Sequence, residues 1–146
     1  MIYEKIQSDV KEAMKARQAD RLSALRFLHS EVKNVGINER VEITDEVAIR
    51  VISKLAKQRR EGVEEARRAG RADLAAKEEA ELALLESYLP RAMSEDELRA
   101  AVQAVIQEVG ASSKRDMGKV MKASLAKLAG RADGRAVQAV ANALLS

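Results

Sequence analysis

The chain has 146 residues, 47% hydrophobic but only 2% aromatic, with no cysteine, one proline, one histidine and a formal charge of +3. That length admits one domain or two small ones. The lack of cysteine excludes disulfides, thiolate metal sites and a cysteine nucleophile, and no apolar run approaches the roughly 18 residues of a membrane span. A core of Ala, Leu, Val and Ile set among Glu, Lys and Arg predicts a nearly all-helical protein. The reducing setting that suits such a chain is cytoplasmic. The opening MIYEKIQSDVKEAM carries acids early and no continuous apolar stretch, so no secretory signal is expected there.

Ile2, Ile6, Val10 and Met14 recur every fourth residue and predict a first helix running to about Ala19. Asp20 is placed to cap a second, with Leu22, Leu25, Leu28 and Val32 as its buried face and an end near Gly36. After the polar link NERVEI, Thr44 is a good cap for a third helix, with Val47, Val51, Ile52, Leu55 and Val63 inward and Gly70 where a terminating glycine belongs. A fourth starts near Ala72, turns Leu74, Leu82, Leu85 and Leu89 inward, and is expected to stop at Pro90.

Residues 90–94 read as a boundary, dividing a helical N-terminal domain of about four helices (1–92) from a three-helix C-terminal domain (93–146). Ser94 and Glu97 have the spacing of a capping box, followed by Leu98, Val102, Val105, Ile106 and Val109, with Gly110 closing that helix. Ser112 or Ser113 opens the next, with Met117, Val120, Met121, Leu125 and Leu128 inward and Gly130 after it. Asp133 opens the last, with Val137, Val140, Ala141 and Leu144 inward. Such short connections predict a small bundle.

Charge is distributed unevenly over this plan. Residues 110–146 hold seven Lys or Arg against two acids, whereas residues 1–96 hold 18 against 19. A basic end on a neutral body points to a polyanionic partner. Lys119 and Lys122 are three apart and share a helix face, opposite Met117, Val120 and Met121, and Gly118, between Met117 and Lys119, leaves room for close approach. Arg131 and Arg135 flank the Gly130–Gly134 turn into the last helix, whose N-terminus favours phosphate. Lys114 and Lys127 complete the candidate nucleic-acid-binding set of Lys114, Lys119, Lys122, Lys127, Arg131 and Arg135. No aromatic follows Tyr88 to stack on splayed bases, so structured RNA read through phosphate and shape fits better than single strands. DNA is not expected, because no Asn, Gln and Arg cluster opens a recognition helix.

Catalysis finds little support. His29 stands alone on a helix and reads as a partly buried or surface residue. Glu78, Glu79 and Glu81 read as a solvated acidic face, with Lys77 and Glu81 as a helix ion pair, rather than as metal ligands. Ser112, Ser113 and Lys114 are residue types that some amidases use, but here they are adjacent between a glycine and a helix and read as a cap. No catalytic residue, metal or cofactor is assigned.

The stretches KQRREGVEEARRAGRADLAAKEEAELALLESYLPRAMSEDEL (57–98) and GASSKRDMGKVMKASLAKLAGRADGRAVQAVANALL (110–145) resemble the YqeY family, essentially end to end. The most specific pieces are Glu-Ser-Tyr-Leu-Pro at 86–90, Asp-Met-Gly-Lys-Val-Met at 116–121 and Gly-Arg-Ala-Asp-Gly at 130–134. The resemblance implies the same division into two helical domains. It also implies kinship with the tail of the B subunit of tRNA-dependent amidotransferase, which helps hold the tRNA body, and with a domain appended to some glutaminyl-tRNA synthetases. Gly118, Lys119, Val120, Met121, Gly130, Ala132 and Asp133 match the tail pattern, and Lys119 alone among them is placed as a direct RNA contact. A label of carbon–nitrogen ligase with glutamine as amido-N-donor travels with this kinship, but it belongs to the whole amidotransferase. The residues of this chain do not support it. The expected function is a non-catalytic, cytoplasmic adaptor for tRNA or for a tRNA-handling synthetase or amidotransferase, with no membrane partner. The alternatives are a protein-interaction module without an RNA role, resting on the charged 44–70 and 72–89 helices, and an amidotransferase-associated component.

Overall fold

The computed structural model describes residues 1–128 and 131–146. The protein is all-α: the described residues form seven α-helices and one short 3₁₀ turn, with no strand among them. They fall into two compact units, Met1–Leu89 and Pro90–Ser146.

The N-terminal unit holds α1 (Ile2–Lys15), α2 (Ala19–Glu39), α3 (Asp45–Arg68) and α4 (Ala72–Glu86). Its core gathers Ile6 and Ala13 of α1, Leu25, Leu28 and Val32 of α2, Ile52 and Leu55 of α3, and Leu85 and Tyr88 at the end of α4. The buried line of α1 turns away from the expected stripe: Asp9 and Ala13 are inside and Met14 is 50% exposed. This helix stops at Lys15 rather than Ala19, because Arg17 adopts a left-handed φ of 56° and the Gln18 amide donates back to the Ala13 carbonyl. Gln18, not Asp20, precedes the first turn of α2 and gives it no side-chain cap; Asp20 lies inside that turn. Gly36 does not end α2. It is buried within the helix, and a Cβ there would stand 2.8 Å from Ile43 Cγ1, so the missing side chain lets the link to α3 cross close over it.

Thr44 Oγ1 accepts from the Val47 amide at 3.3 Å and starts α3. Gly70, at φ 69°, ends the α3 turn in the left-handed conformation that glycine adopts without a Cβ penalty. From there α4 runs back along α3. The far part of this hairpin buries Val63, Ala66 and Ala75, small enough for close packing, and four ion pairs lace its flank. Arg59 meets Glu78 at 3.4 Å and Glu81 at 3.1 Å, Arg60 meets Glu86 at 3.1 Å, and Arg67 pairs with Glu79. The acidic patch expected to face solvent is therefore a seam between helices, and Glu81 pairs with Arg59 instead of Lys77. Helix α4 ends at Glu86, ahead of Pro90, because Tyr88 turns inward to hydrogen-bond Asp9.

The C-terminal unit holds α5 (Glu95–Val109), a 3₁₀ turn (Lys114–Asp116), α6 (Met117–Lys127) and α7 (Gly134–Leu144). Ser94 Oγ accepts from the Glu97 amide at 3.2 Å, and Asp133 Oδ1 from the Ala136 amide at 2.8 Å. Gly110 closes α5 at φ 68°. The expected closing role of Gly130 lies outside the described residues. All three helices pack on one another around Val102, Val105, Val120, Ser124, Val137 and Ala141, each fully buried. Leu125, expected inward, is 44% exposed, and Ser124 occupies the core in its place. Two backbone bonds tie the ends of the bundle: Met93 amide to Arg131 carbonyl at 3.0 Å, and Lys114 amide to Ser146 carbonyl at 3.2 Å.

Candidate nucleic-acid interface

The cations of the C-terminal unit separate into two groups. Once Pro90–Ser146 is taken as a whole, it carries nine Lys or Arg against six Asp or Glu, so the excess is +3 rather than the +5 of residues 110–146 alone. Two of the added acids are used locally. Lys127 Nζ lies 3.1 Å from Glu108 Oε1 of α5. Arg131 lies 3.6 Å from Glu97, which also takes Arg91 at 3.2 Å, and its Nε donates to the Arg91 carbonyl at 3.3 Å. Two of the six candidate residues, Lys127 and Arg131, are thus drawn toward α5. The capping box is half made for the same reason: Ser94 caps, while the Glu97 carboxylate turns to the arginines.

Among the described residues, Lys114, Lys119, Lys122 and Arg135 have no carboxylate within ion-pair distance, and all four are exposed. Lys119 and Lys122 stand on the outer face of α6 with Gly118, Leu125 and Ala126, the arc opposite buried Val120 and Ser124. A Cβ on Gly118 would meet nothing within 4 Å, so backbone is open there. A Cβ on Gly134 would stand 3.9 Å from Leu125 Cδ2, which brings the first turn of α7, with Arg135, against this same arc. The structure therefore puts Lys119 and Lys122 on one exposed arc of α6, with the start of α7 against Leu125 of that arc. Lys114 sits before α6 on the 3₁₀ turn beside Arg115, a further exposed cation without a carboxylate partner among the described residues. Sequence reasoning left Arg115 out of the candidate set, although its place next to Lys114 was a usable signal.

The helix N-termini do not add to the surface. Asp133 occupies the start of α7 through the Ala136 amide. Asp116 accepts from the Ser112 amide at 3.0 Å, and this bond, with a further one to Ser113 and the nearby charge of Lys119, holds its carboxyl below the usual range and keeps it ionised.

Among the described residues no group of three His, Asp or Glu converges as a metal site would. His29 stacks on Tyr3, with ring centroids 5.1 Å apart and planes 10° off parallel, and its Nε2 is buried without a partner.

Comparison with known proteins places this geometry. The chain is 29% identical over 135 residues, covering 90% of its own length and 74% of the relative's, to altered inheritance of mitochondria protein 41 of Pyrenophora tritici-repentis. It is 35% identical over 85 residues, 58% of this chain and 69% of the relative, to an uncharacterized protein of Schizosaccharomyces pombe. It is also 35% identical over 108 residues to altered inheritance of mitochondria protein 41 of Eremothecium gossypii, covering 71% of this chain and 58% of the relative. The cytoplasmic expectation is corrected here, since relatives that carry a location in their names are mitochondrial. The model of the Yqey-like protein family matches residues 3–145, through both helical units, and the chain belongs to that family.

Proposed function

We propose that the C-terminal unit is a handle for structured RNA, tRNA in the first instance, and that the chain acts as an adaptor with no ligase step of its own. The observation that carries this reading is the outer arc of α6, where exposed Lys119 and Lys122 have no carboxylate partner within ion-pair distance among the described residues, with exposed Arg135 in the first turn of α7 as a third such cation. Exposed cations without an ion-pair partner release counterions when they meet phosphate. The unit contains no aromatic residue, so its binding rests on phosphate and shape and not on stacking. The rival reading of a protein-interaction module rests on the charged faces of α3 and α4, part of which is spent on ion pairs between those two helices.

The test is a titration of labelled tRNA at several salt concentrations. With about four or five phosphates neutralised, the log–log slope is expected between about −3 and −4.5. Lys119→Glu with Lys122→Glu should flatten that slope by about 2 and leave the helical signal intact, both side chains being exposed. Binding that ignores salt, or that survives the double reversal unchanged, refutes the reading.

A further inference from the structure

We propose that the N-terminal unit carries a second, separate site, a cavity between α2 and α4 that binds a nucleotide by stacking its base on Phe27 and meeting its phosphate with a cation of the lining, Lys77 or Arg21. The cavity has a volume of about 900 Å³, within the range of small-molecule sites. Phe27 is the only phenylalanine of the chain, yet it lies off the buried stripe of α2 and is 47% exposed into this space. Core packing does not account for it. Its ring is held from one side: the Arg59 guanidinium stands 5.8 Å from the ring centroid and is itself fixed by Glu78 and Glu81. An aromatic clamped on one face and open elsewhere is a stacking platform.

The charges of the lining match the rest of such a ligand. Glu81 is occupied by Arg59 at 3.1 Å. Arg21 on α2 and Lys77 on α4 line the cavity without an ion pair within 4.0 Å among the described residues, and the charge of Arg21 also reaches Asp9. Either cation can take a phosphate through charge-assisted hydrogen bonds. Asp20 is the remaining carboxylate of the lining; as an acceptor it suits ribose hydroxyls. Ala24 and Ala80, one on each wall, keep the lining short between the charged groups. The ligand chemistry is that of a nucleoside phosphate, supplied free or as an unstacked residue of RNA.

The experiment titrates the full chain with AMP, UMP and inorganic phosphate at low ionic strength, following amide shifts or heat. Mononucleotide is expected to bind well ahead of phosphate. Phe27→Leu should weaken it about tenfold, the loss of one stacked base, and Ala80→Leu should weaken it by crowding the α4 wall. Both positions are exposed, and unchanged thermal midpoints confirm that the variants fold. A short single strand that binds more tightly than mononucleotide identifies RNA as the source; equal affinity identifies the free nucleotide. The Lys119→Glu, Lys122→Glu chain should retain full mononucleotide affinity, so failure of the RNA-handle reading and failure of this one are seen separately. No mononucleotide binding, binding as weak as that of phosphate, or affinity unchanged in Phe27→Leu and Ala80→Leu overturns the site. Silence toward nucleotides with a protein partner cross-linking through position 27 reassigns the cavity to a partner helix.

Discussion

Asp9 is a buried carboxylate that the fold satisfies with two donors from different places. Lys5 Nζ, one turn back on α1, lies 2.9 Å away, and the Tyr88 hydroxyl arrives from beyond the end of α4. Lys5 also stands 5.2 Å over the Tyr88 ring. Burial pushes the Asp9 carboxyl up, but the bonds from Tyr88 and Lys5 and the charges of Lys5 and Arg21 outweigh it and hold the group below its ordinary 3.8. Tyr88 is raised above its ordinary 10.0, first by burial and then by the bond to Asp9. Stability from Asp9 is therefore full above pH 3.8 and is lost as pH falls through the folded value. Stability from Tyr88 is full below pH 10.0 and is lost as pH rises through its raised value. Tyr88→Phe leaves Asp9 with Lys5 alone and should cost about 1–3 kcal/mol near neutral pH in urea unfolding, with the deficit shrinking at both extremes. Ser124 offers the opposite case. It is fully buried and its Oγ has no partner, so Ser124→Ala should stabilise the C-terminal unit by about 1 kcal/mol. Gly36→Ala gains about 1 kcal/mol of helix propensity, but its Cβ would press on Ile43; with overpacking costing about 1–3 kcal/mol, a net loss of about 1 kcal/mol is expected in the same assay.

At the scale of the element, what the sequence disclosed depended on whether a helix end carries a side-chain cap. Thr44, Ser94 and Asp133 each accept an amide of the following turn, and the starts of α3, α5 and α7 were readable from those residues alone. The start of α2 follows Gln18, which makes no such bond, and α1 ends through a left-handed arginine where no glycine marks the turn; α4, also uncapped, begins at Ala72 as expected because Gly70 marks the turn before it. The interface shows the same limit. Periodicity was enough to turn Lys119 and Lys122 outward, because exposure on one helix is a local property. That Lys127 and Arg131 are taken by Glu108 and Glu97 depends on another helix and left no trace in spacing. Within α6 the glycine is a separate lever. Gly118 has open space where a Cβ would go, so Gly118→Ala should raise the stability of the C-terminal unit by about 0.5 kcal/mol in far-UV urea unfolding. Lower tRNA affinity in that variant, with folding improved, would show that phosphate uses the bare backbone.

The whole molecule is two cores, and their composition supplies a way to watch them separately. Tyr3, Phe27 and Tyr88 all lie in Met1–Leu89, while Pro90–Ser146 has no aromatic residue. Tyrosine emission therefore reports on the N-terminal unit alone, and far-UV ellipticity on both. The smaller unit builds its centre from valine, alanine and serine on three short helices, and a piece of that size has a limited apolar surface to bury. It should unfold at lower denaturant than the larger unit, whose core draws on four helices and is backed by the laced α3–α4 hairpin. In a urea titration the ellipticity is expected to fall in two steps, with tyrosine emission following only the second. Ser124→Ala should move the first step alone and Tyr88→Phe the second alone. Coincident transitions by both probes, or either variant shifting both steps together, would mean that the units fold as one cooperative body and that the division at Leu89–Pro90 carries no thermodynamic weight.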